Sequence, residues 1–424
     1  MKIMHIVPTA DGAPWMVALA REQQRAGHQV MAVIPSLDGG LGPELARAGI
    51  AAYAAPVDVI VTVRGALAKL RALLGLVRLL RRLRPDVVHS HVFGAVITAR
   101  LASWLADTPI HFAGNVHPIS LESEMMRVLE IGTAFCDTTT IASSTYTREL
   151  YATHGVDAEL IFYAVDQSAH DPALADGARV RRELALSAET PVIGMIAYFY
   201  PPTRTRAAVP PVLRGRGIKG HEVLLRAVPR VLASIPSAKF VLIGRGWGPE
   251  GARYEESLKE LAASLGVTHA VLFPGERSDV PDVLASFDVS VHCSLSDNLG
   301  GTVESLLMER PMVVSDARGF ADTVLHEETG LVVPKDDPNA LANAIVRLLR
   351  NRDFAARLGR NGRAHMLSRF TLAHSFADTE ALLARTPLRR GYRLSVTLLR
   401  ALALPFRLVP LAFKVRRALA RPTP

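Results

Sequence analysis

The stretch Val289-Ser-Val-His-Cys-Ser-Leu-Ser-Asp-Asn-Leu-Gly-Gly-Thr-Val-Glu-Ser-Leu-Leu307, continued by Met312-Val-Val-Ser315, decides the fold. Its β-branched ends are typical of two short strands. The glycine pair between them predicts a loop, and a helix beginning at Thr302 fits the segment that follows. A strand, a crossover helix and a second strand predict a βαβ unit of a parallel sheet.

The same alternation of short β-branched runs and longer helical runs extends over most of the chain. Before residue 167 it predicts strands at residues 2–7, 29–34, 86–90, 109–112, 138–142 and 158–162. After residue 190 it predicts strands at residues 192–197, 239–243, 270–273, 289–293, 312–315 and 331–333. The fold class predicted is therefore α/β, with two Rossmann-like, doubly wound parallel-sheet domains.

The domain limits follow from this pattern. Residues 1–180 are predicted as an N-terminal acceptor domain, 181–370 as a C-terminal donor domain, 371–385 as a crossover helix and 386–424 as a basic amphipathic tail. Doubly wound sheets bind ligands at the carboxyl ends of their strands. Two such domains facing an interdomain cleft would place the site in that cleft.

The charge of the chain is concentrated in its tail. The sequence has 49 basic and 40 acidic residues, and residues 386–424 hold eight arginines, one lysine and no acid. The rest is balanced, so a basic domain face is not expected and no nucleic-acid partner is predicted. Even the apolar tail carries Arg400 and Arg407, so no membrane-spanning helix is expected.

The glycine loop after residue 293 is the strongest candidate site. Backbone N–H groups beside Gly300-Gly301 and the helix start could hold a diphosphate. Glu304 could accept hydrogen bonds from ribose hydroxyls, and Asp297 could reach sugar hydroxyls. From the residues alone, a tight turn at the glycines and a favourable helix-start charge at Glu304 fit equally well.

Several motifs together resemble one enzyme family. They are Gly217-Ile-Lys-Gly-His-Glu222, Phe240-Val-Leu-Ile-Gly-Arg-Gly246, Phe273-Pro-Gly275, the loop 294–316 and Glu328-Thr-Gly-Leu-Val-Val-Pro334. With weaker matches in the first half, they resemble the family 4 glycosyltransferases of the two-Rossmann (GT-B) type. The resemblance implies that a sugar is transferred from a nucleotide diphosphate donor with retention of anomeric configuration. It also implies no cofactor and no metal, with the nucleotide-sugar as co-substrate.

The resemblance also implies roles for residues in the second half. Lys219 matches the lysine that binds the leaving diphosphate, with Asn298, Leu299, Gly300, Gly301 and Thr302 beside it. The family's preceding arginine is missing, and Arg216, Arg214 or Arg206 are the alternatives. Asp297 and Glu304 have six residues between them where the family commonly has seven, and Ser296 stands in the usual register. They are interpreted as sugar-contacting and ribose-contacting acids of the catalytic group.

In the first half, the resemblance implies two further site residues. His117, with Asn115 and His91 as weaker neighbours, resembles the histidine that contacts the donor sugar. A structural histidine in a turn is the alternative. Gly12 stands where the family has a glycine pair, and a glycine there lets the backbone approach the donor or the acceptor.

Two basic segments indicate contact with an anionic membrane. Residues 64–84 hold seven cations and no acid, and their Arg71, Arg78 and Arg82 are predicted to bind the membrane, although an ordinary Rossmann helix with a solvated side is the alternative. In the tail, cations recur every seven residues along an apolar sequence and fall on one stripe of a helix. The stripe includes Arg393, Arg400, Arg407 and Lys414.

Together these features predict a cytoplasmic glycosyltransferase bound peripherally to the inner membrane leaflet, acting on a glycan or lipid-linked acceptor in surface polysaccharide or glycolipid assembly. A nucleotide-sugar epimerase of the same fold and a non-catalytic nucleotide-sugar-binding protein are the alternatives. A dehydrogenase is disfavoured because no Gly-x-Gly-x-x-Gly follows the first strand.

Overall fold

The structure is a computed structural model that describes residues 1–202 and 210–388. It divides into two compact units. The first contains Met1–Ala164 and the described residues from Leu372 onward, and the second contains Val165–Thr371. Arg206 and the predicted tail cations Arg393, Arg400, Arg407 and Lys414 lie outside the described residues.

The first unit is built on a seven-stranded parallel sheet. Its strands are β1 (Lys2–Ile6), β2 (Gln29–Ile34), β3 (Ala51–Ala54), β4 (Val87–His91), β5 (Ile110–Gly114), β6 (Thr139–Ala142) and β7 (Ala158–Leu160). They are ordered β3-β2-β1-β4-β5-β6-β7, so the strand order reverses between β1 and β4. Ligands of such sheets bind beside this reversal, at the carboxyl ends of the strands.

The helices of the first unit cover both faces of this sheet. They are α1 (Pro14–Arg25), α2 (Leu41–Arg47), α3 (Val59–Thr62), α4 (Ala66–Leu83), α5 (Phe93–Leu105), α6 (Ile119–Glu122), α7 (Glu124–Thr133) and α8 (Thr145–Ala152), followed much later by α16 (Leu372–Arg385). Buried α16 residues Leu382 and Leu383 pack in a cluster with Ile3 and Val87 of the sheet. The last described helix is thus part of the first unit's core.

The second unit repeats the design with a six-stranded parallel sheet. Its strands are β8 (Val192–Ile196), β9 (Lys239–Ile243), β10 (Val271–Gly275), β11 (Val289–His292), β12 (Met312–Ser315) and β13 (Leu331–Val333), in the order β10-β9-β8-β11-β12-β13. Its helices are α9 (Gly177–Glu183), α10 (His221–Ser234), α11 (Gly248–Ser264), α12 (Val280–Ala285), α13 (Thr302–Leu307), α14 (Pro338–Arg350) and α15 (Arg352–Arg369). The strand order reverses between β8 and β11.

The predicted fold class is confirmed, and each predicted strand is present within two residues of its predicted bounds. The sequence pattern missed β3, because Ala51–Ala54 contains no β-branched residue and is only partly buried. The two units divide after Ala164, earlier than the predicted limit at residue 180, and Val180 of α9 packs against Val192 and Val241 of the second unit. Among the described residues, no helix combines the length and the apolar character needed to cross a membrane.

Candidate active site

The candidate site of the second unit lies where its strand order reverses. β11 ends at His292, and the loop from Cys293 to Gly301 leads into α13. The segment before α10 lies against this loop, because Leu295 N–H donates to the Ile218 carbonyl at 2.8 Å. Two segments more than 70 residues apart in the sequence are thereby brought together at the carboxyl end of β11.

Lys219 and Asp297 form an ion pair in this loop. Lys219 Nζ lies 2.6 Å from Asp297 Oδ2, and the Asp297 side chain is 3% exposed. The same carboxylate accepts hydrogen bonds from Ser294 Oγ at 2.7 Å and from the Asn298 N–H at 2.9 Å. The two charged residues predicted for the site therefore lie side by side in this loop. The Asp297 carboxylate is bound by Lys219, by the Ser294 hydroxyl and by a backbone N–H.

Gly220 fixes the backbone that presents Lys219. Its φ is +72°, and a Cβ atom there would lie 2.1 Å from the Cys293 carbonyl oxygen. A side chain at this position is therefore both strained and sterically excluded. Because Gly220 is glycine, the chain passes close enough to the end of β11 for the lysine to reach Asp297.

Glu304 lies in the first turn of α13, and one of its carboxylate oxygens is fully buried. This oxygen, Oε2, has no hydrogen-bond partner in the described part of the chain. Burial raises the pKa of Glu304 to about 7, and the nearby charge of Lys219 opposes that rise. A buried acceptor without a partner is costly for the protein, so Glu304 is well suited to accept hydrogen bonds from a ligand.

The glycines of the loop make room for tight packing. Gly300 has a φ of +55°, and a Cβ atom on Gly301 would lie 2.8 Å from Cε1 of the buried His292. Leu299 and Thr302 are fully buried, and the Thr302 hydroxyl contacts Thr323 Oγ1 at 2.9 Å. Contacts of Leu299 and Thr302 with a ligand would therefore involve their backbone.

The three candidate arginines have different surroundings. Arg216 forms a two-pronged ion pair with Asp336, in which each terminal guanidinium nitrogen donates to one carboxylate oxygen. Arg214 is exposed, and Arg206 lies outside the described residues. The arginine that accompanies Lys219 stays a prediction.

Tyr198, Tyr200 and Trp247 form an aromatic cluster that was not predicted from the sequence. Burial and the nearby charge of Asp297 raise the pKa of Tyr200 to about 12. Trp247, which follows β9 and is exposed, packs its ring 5.1 Å from that of Tyr198 and 5.5 Å from that of Tyr200. Their positions could have identified them, because they lie shortly after the carboxyl ends of strands β8 and β9.

The two site residues predicted in the first half belong to the first unit. Gly12, in the loop between β1 and α1, has a φ of +80°, a conformation that favours glycine. His117 follows β5 and is half-buried, and its Nδ1 accepts a hydrogen bond from the Ile119 N–H at 3.3 Å. Their roles toward a ligand stay predictions.

Two family models match this chain. The model described as "Glycosyl transferase 4-like domain" matches residues 13–164, and the one described as "Glycosyl transferases group 1" matches residues 212–351. Together they cover more than half of the chain, and each matched range falls within one of the two units described above. The chain belongs to the family 4 glycosyltransferases.

This family 4 glycosyltransferase is similar to other proteins in sequence and in fold. It is 30% identical to the lipopolysaccharide core biosynthesis mannosyltransferase LpsB of Rhizobium meliloti, over 38% of this chain and 46% of the relative. It is 29% identical to the D-inositol 3-phosphate glycosyltransferase of Acidothermus cellulolyticus, over 66% of this chain and 63% of the relative. The matches thus span about half to two thirds of these relatives.

A solved structure shows the fold. The crystal structure of HepE of Anabaena in complex with UDP and glucose has a TM-score of 0.76 with this chain at 19% identity, covering 91% of this chain and 100% of HepE. Likeness at this level of identity establishes a shared architecture, here the two-Rossmann GT-B fold.

Proposed function

We propose that this family 4 glycosyltransferase transfers a sugar from a nucleotide diphosphate donor to a glycan or lipid-linked acceptor, with retention of configuration. The observation that carries the proposal is the pairing of one ammonium group and one unpartnered buried carboxylate oxygen at a single glycine loop. Lys219 supplies the first and Glu304 the second. A nucleotide diphosphate needs both, since it presents phosphate oxygens and ribose hydroxyls side by side.

Lys219 is the residue proposed to bind the diphosphate. Its ammonium is held by Asp297 at 2.6 Å, yet its side chain is 16% exposed and so remains accessible to an anion. A lysine fixed before the ligand arrives loses little side-chain freedom on binding. As the sugar departs, charge grows on the leaving phosphate, and a pre-positioned cation stabilises that charge.

Glu304 is the residue proposed to bind the ribose. Its unpartnered oxygen is a strong acceptor, and two ribose hydroxyls would supply the missing donors. Asp297 is proposed to contact the donor sugar while it keeps Lys219 in place. Arg216 can join the diphosphate only by sharing or leaving its partner Asp336.

Retention fits the residues available. The leaving phosphate oxygen can take the proton of the acceptor hydroxyl on the face from which it departs. Such a reaction depends on positioning and on charge stabilisation. His117 is proposed to contact the donor sugar near the reacting carbon. The donor reaction is proposed to need no metal, because Lys219 supplies positive charge to the diphosphate.

Donor turnover is the experiment that tests the proposed function. We expect one nucleotide-sugar in a panel of UDP-, GDP- and ADP-sugars to raise the melting temperature of the full chain, because a ligand that binds only the folded state stabilises it. Release of the nucleoside diphosphate should then depend on added glycan or lipid acceptor. Conversion of the donor to its epimer would instead support an epimerase, and tight binding without turnover would support a non-catalytic protein.

The protein is also proposed to bind an anionic membrane surface at the inner leaflet through helix α4. Leu67, Leu70 and Leu74 of this helix are 62%, 51% and 37% exposed, although apolar side chains of this size are usually buried. Arg71, Arg78 and Arg82 are also exposed, and none of them has an ion-pair partner in the described part of the chain. Exposed leucines beside unpaired arginines are typical of a helix that lies in a membrane interface.

The α4 surface makes a testable prediction. Replacement of Arg71, Arg78 and Arg82 by glutamine should lower the partition of the full chain onto phosphatidylserine vesicles at least 10-fold, since each cation contributes about 1 kcal/mol near an anionic surface. Cosedimentation measures this partition. The matched control replaces the exposed Arg253, Arg352 and Arg360 of the second unit, with the same change of charge. An equal loss in both variants would remove α4 as the membrane surface.

A further inference from the structure

Three buried histidines of the first unit meet on one face of its sheet. His5 of β1 lies directly opposite His89 of β4 in the register of the two parallel strands. His91 follows His89 by two residues and therefore lies on the same face. All three side chains are at most 5% exposed. The fold thus collects imidazoles from distant parts of the chain at the reversal of the strand order.

The hydrogen bonds of this histidine cluster leave one buried nitrogen without a partner in the described part of the chain. His5 Nε2 lies 2.8 Å from Gln23 Oε1, so this nitrogen carries the proton and donates a hydrogen bond to the amide oxygen. His5 Nδ1, which lies 3.0 Å from His91 Nε2, is therefore a lone-pair acceptor. His91 Nε2 then carries the hydrogen of this bond, so His91 Nδ1 has a second free lone pair. This nitrogen is fully buried and has no hydrogen-bond partner among the described residues.

The neighbouring glycine leaves space in front of the cluster. A Cβ atom on Gly114 would lie 3.2 Å from His89 Nε2 and 3.8 Å from His91 Nδ1, so both nitrogens face the volume that this side chain would fill. A cavity of about 30 Å³ opens there, lined by His89, His91, Gly114, Asn115 and Ser375 among others. This volume is enough for one water molecule.

We propose that His5, His89 and His91 bind one divalent transition-metal ion of the Zn²⁺ type, with a water in the Gly114 cavity as the fourth ligand. One nitrogen from each ring lies within 4.8 Å of the other two. Tetrahedral zinc holds its nitrogen ligands roughly 3.3 Å apart, at bond lengths of about 2.0–2.1 Å. His5 Nδ1 and His91 Nε2 lie 3.0 Å apart, close to that spacing, and both bind the ion once the His91 proton moves from Nε2 to the unpartnered Nδ1.

The chemistry of the cluster selects the class of ion. Three imidazole ligands suit zinc, copper, nickel and iron and are unsuited to calcium or magnesium, which take oxygen ligands. Gln23 orients His5 by accepting a hydrogen bond from its Nε2–H, as groups behind metal ligands commonly do. The neighbouring His111 is not available as a ligand, because it contacts Ser90 through one nitrogen and Asp137 through the other.

The proposed metal site belongs to a different unit from Lys219 and Glu304, the residues proposed to bind the donor. Its ligands come from β1 and β4 of the first unit, whereas Lys219 and Glu304 belong to the second unit. An ion there would link the two strands at the centre of the first sheet. Binding that occurs only in the folded state would then stabilise this unit.

Zn²⁺ titration of the untagged full chain, after removal of metals with a chelator, tests the proposal. We expect one equivalent to bind by calorimetry, and Co²⁺ in its place to give the visible absorption of a tetrahedral nitrogen site. His89→Asn or His91→Asn should raise the dissociation constant at least 100-fold. Gln23→Leu, which removes only the group behind His5, should raise it roughly 10- to 100-fold.

His269→Asn is the control, because His269 is an exposed histidine of the second unit and should leave the dissociation constant unchanged. Circular dichroism of each variant separates loss of the ion from loss of the fold. The proposal is overturned if the wild-type chain binds no stoichiometric Zn²⁺ and gives no tetrahedral Co²⁺ spectrum. It is also overturned if folded His89→Asn and His91→Asn variants bind Zn²⁺ as the wild type does.

Discussion

Lys219→Ala is expected to lower donor affinity and protein stability together. Loss of a charged hydrogen bond to the diphosphate should weaken binding by about 1.5–3 kcal/mol, or roughly 10- to 150-fold. The same change removes the partner of Asp297, whose side chain is 3% exposed. A buried charge left without its partner commonly costs 3–5 kcal/mol. The bonds from Ser294 and Asn298 remain, so we expect a loss of about 2–3 kcal/mol in the free energy of unfolding.

A double substitution separates these two effects. Lys219→Ala with Asp297→Asn removes both charges, so most of the lost stability should return while donor affinity stays low. Denaturant unfolding measures the first quantity and calorimetry with the nucleoside diphosphate measures the second. Lys259→Ala, which breaks exposed ion pairs with Glu255 and Glu256, is the matched control and should change neither quantity by more than about 1 kcal/mol. Wild-type donor affinity in the double variant would remove Lys219 from the diphosphate site.

Glu304→Gln is expected to stabilise the protein and to inactivate it. Burial raises the pKa of Glu304 from 4.5 to about 7 in the folded state. The folded state therefore holds this proton more tightly than the unfolded state does, and the wild type loses stability as the pH rises from about 4.5 to about 7. Glutamine carries no charge at any pH, so the variant avoids the free-energy cost of burying an ionised carboxylate. The variant should be more stable above pH 7 by roughly 3 kcal/mol and equal to the wild type below pH 4.5.

The activity of the Glu304→Gln variant should change in the opposite direction. A glutamine is neutral and has one acceptor oxygen in place of two charged ones, so it binds the ribose hydroxyls more weakly than a carboxylate does. We expect kcat/KM for the donor to fall about 100-fold. Donor affinity of the wild type should rise between pH 6 and 8 as Glu304 ionises, and that of the variant should stay flat. Full activity, or a stability difference without pH dependence, would contradict this role for Glu304.

The sheets could be predicted from sequence because buried parallel strands need β-branched runs. Lys239–Ile243 and Met312–Ser315, for example, have the predicted bounds. β3 was missed because its alanines carry little hydrophobic signal. The predicted boundary between the units was too late in the sequence because α9 is a polar helix that packs on the second unit through Val180. One apolar residue does not make a hydrophobic repeat that could assign the helix to a domain.

The contacts within the site could be predicted only in part. Lys219, Asp297 and Glu304 were identified as candidates, but the ion pair between the first two joins residues 78 positions apart in the sequence. No local sequence pattern indicates which residues so far apart in the sequence will form an ion pair. The ion pair of Arg216 with Asp336, 120 positions apart in the sequence, could not be predicted for the same reason. The histidine cluster was missed because His5 and His89 occupy strand positions whose neighbours are set by register alone.

The return of α16 to the first unit has a consequence for biosynthesis. The second unit is one continuous segment, Val165–Thr371, and can fold as soon as that segment leaves the ribosome. The first unit needs Leu382 and Leu383 to complete the cluster around Ile3 and Val87. Its N-terminal part therefore keeps this apolar surface uncovered until α16 has been translated. A premature stop near residue 371 would leave a folded second unit attached to an incomplete and aggregation-prone first one.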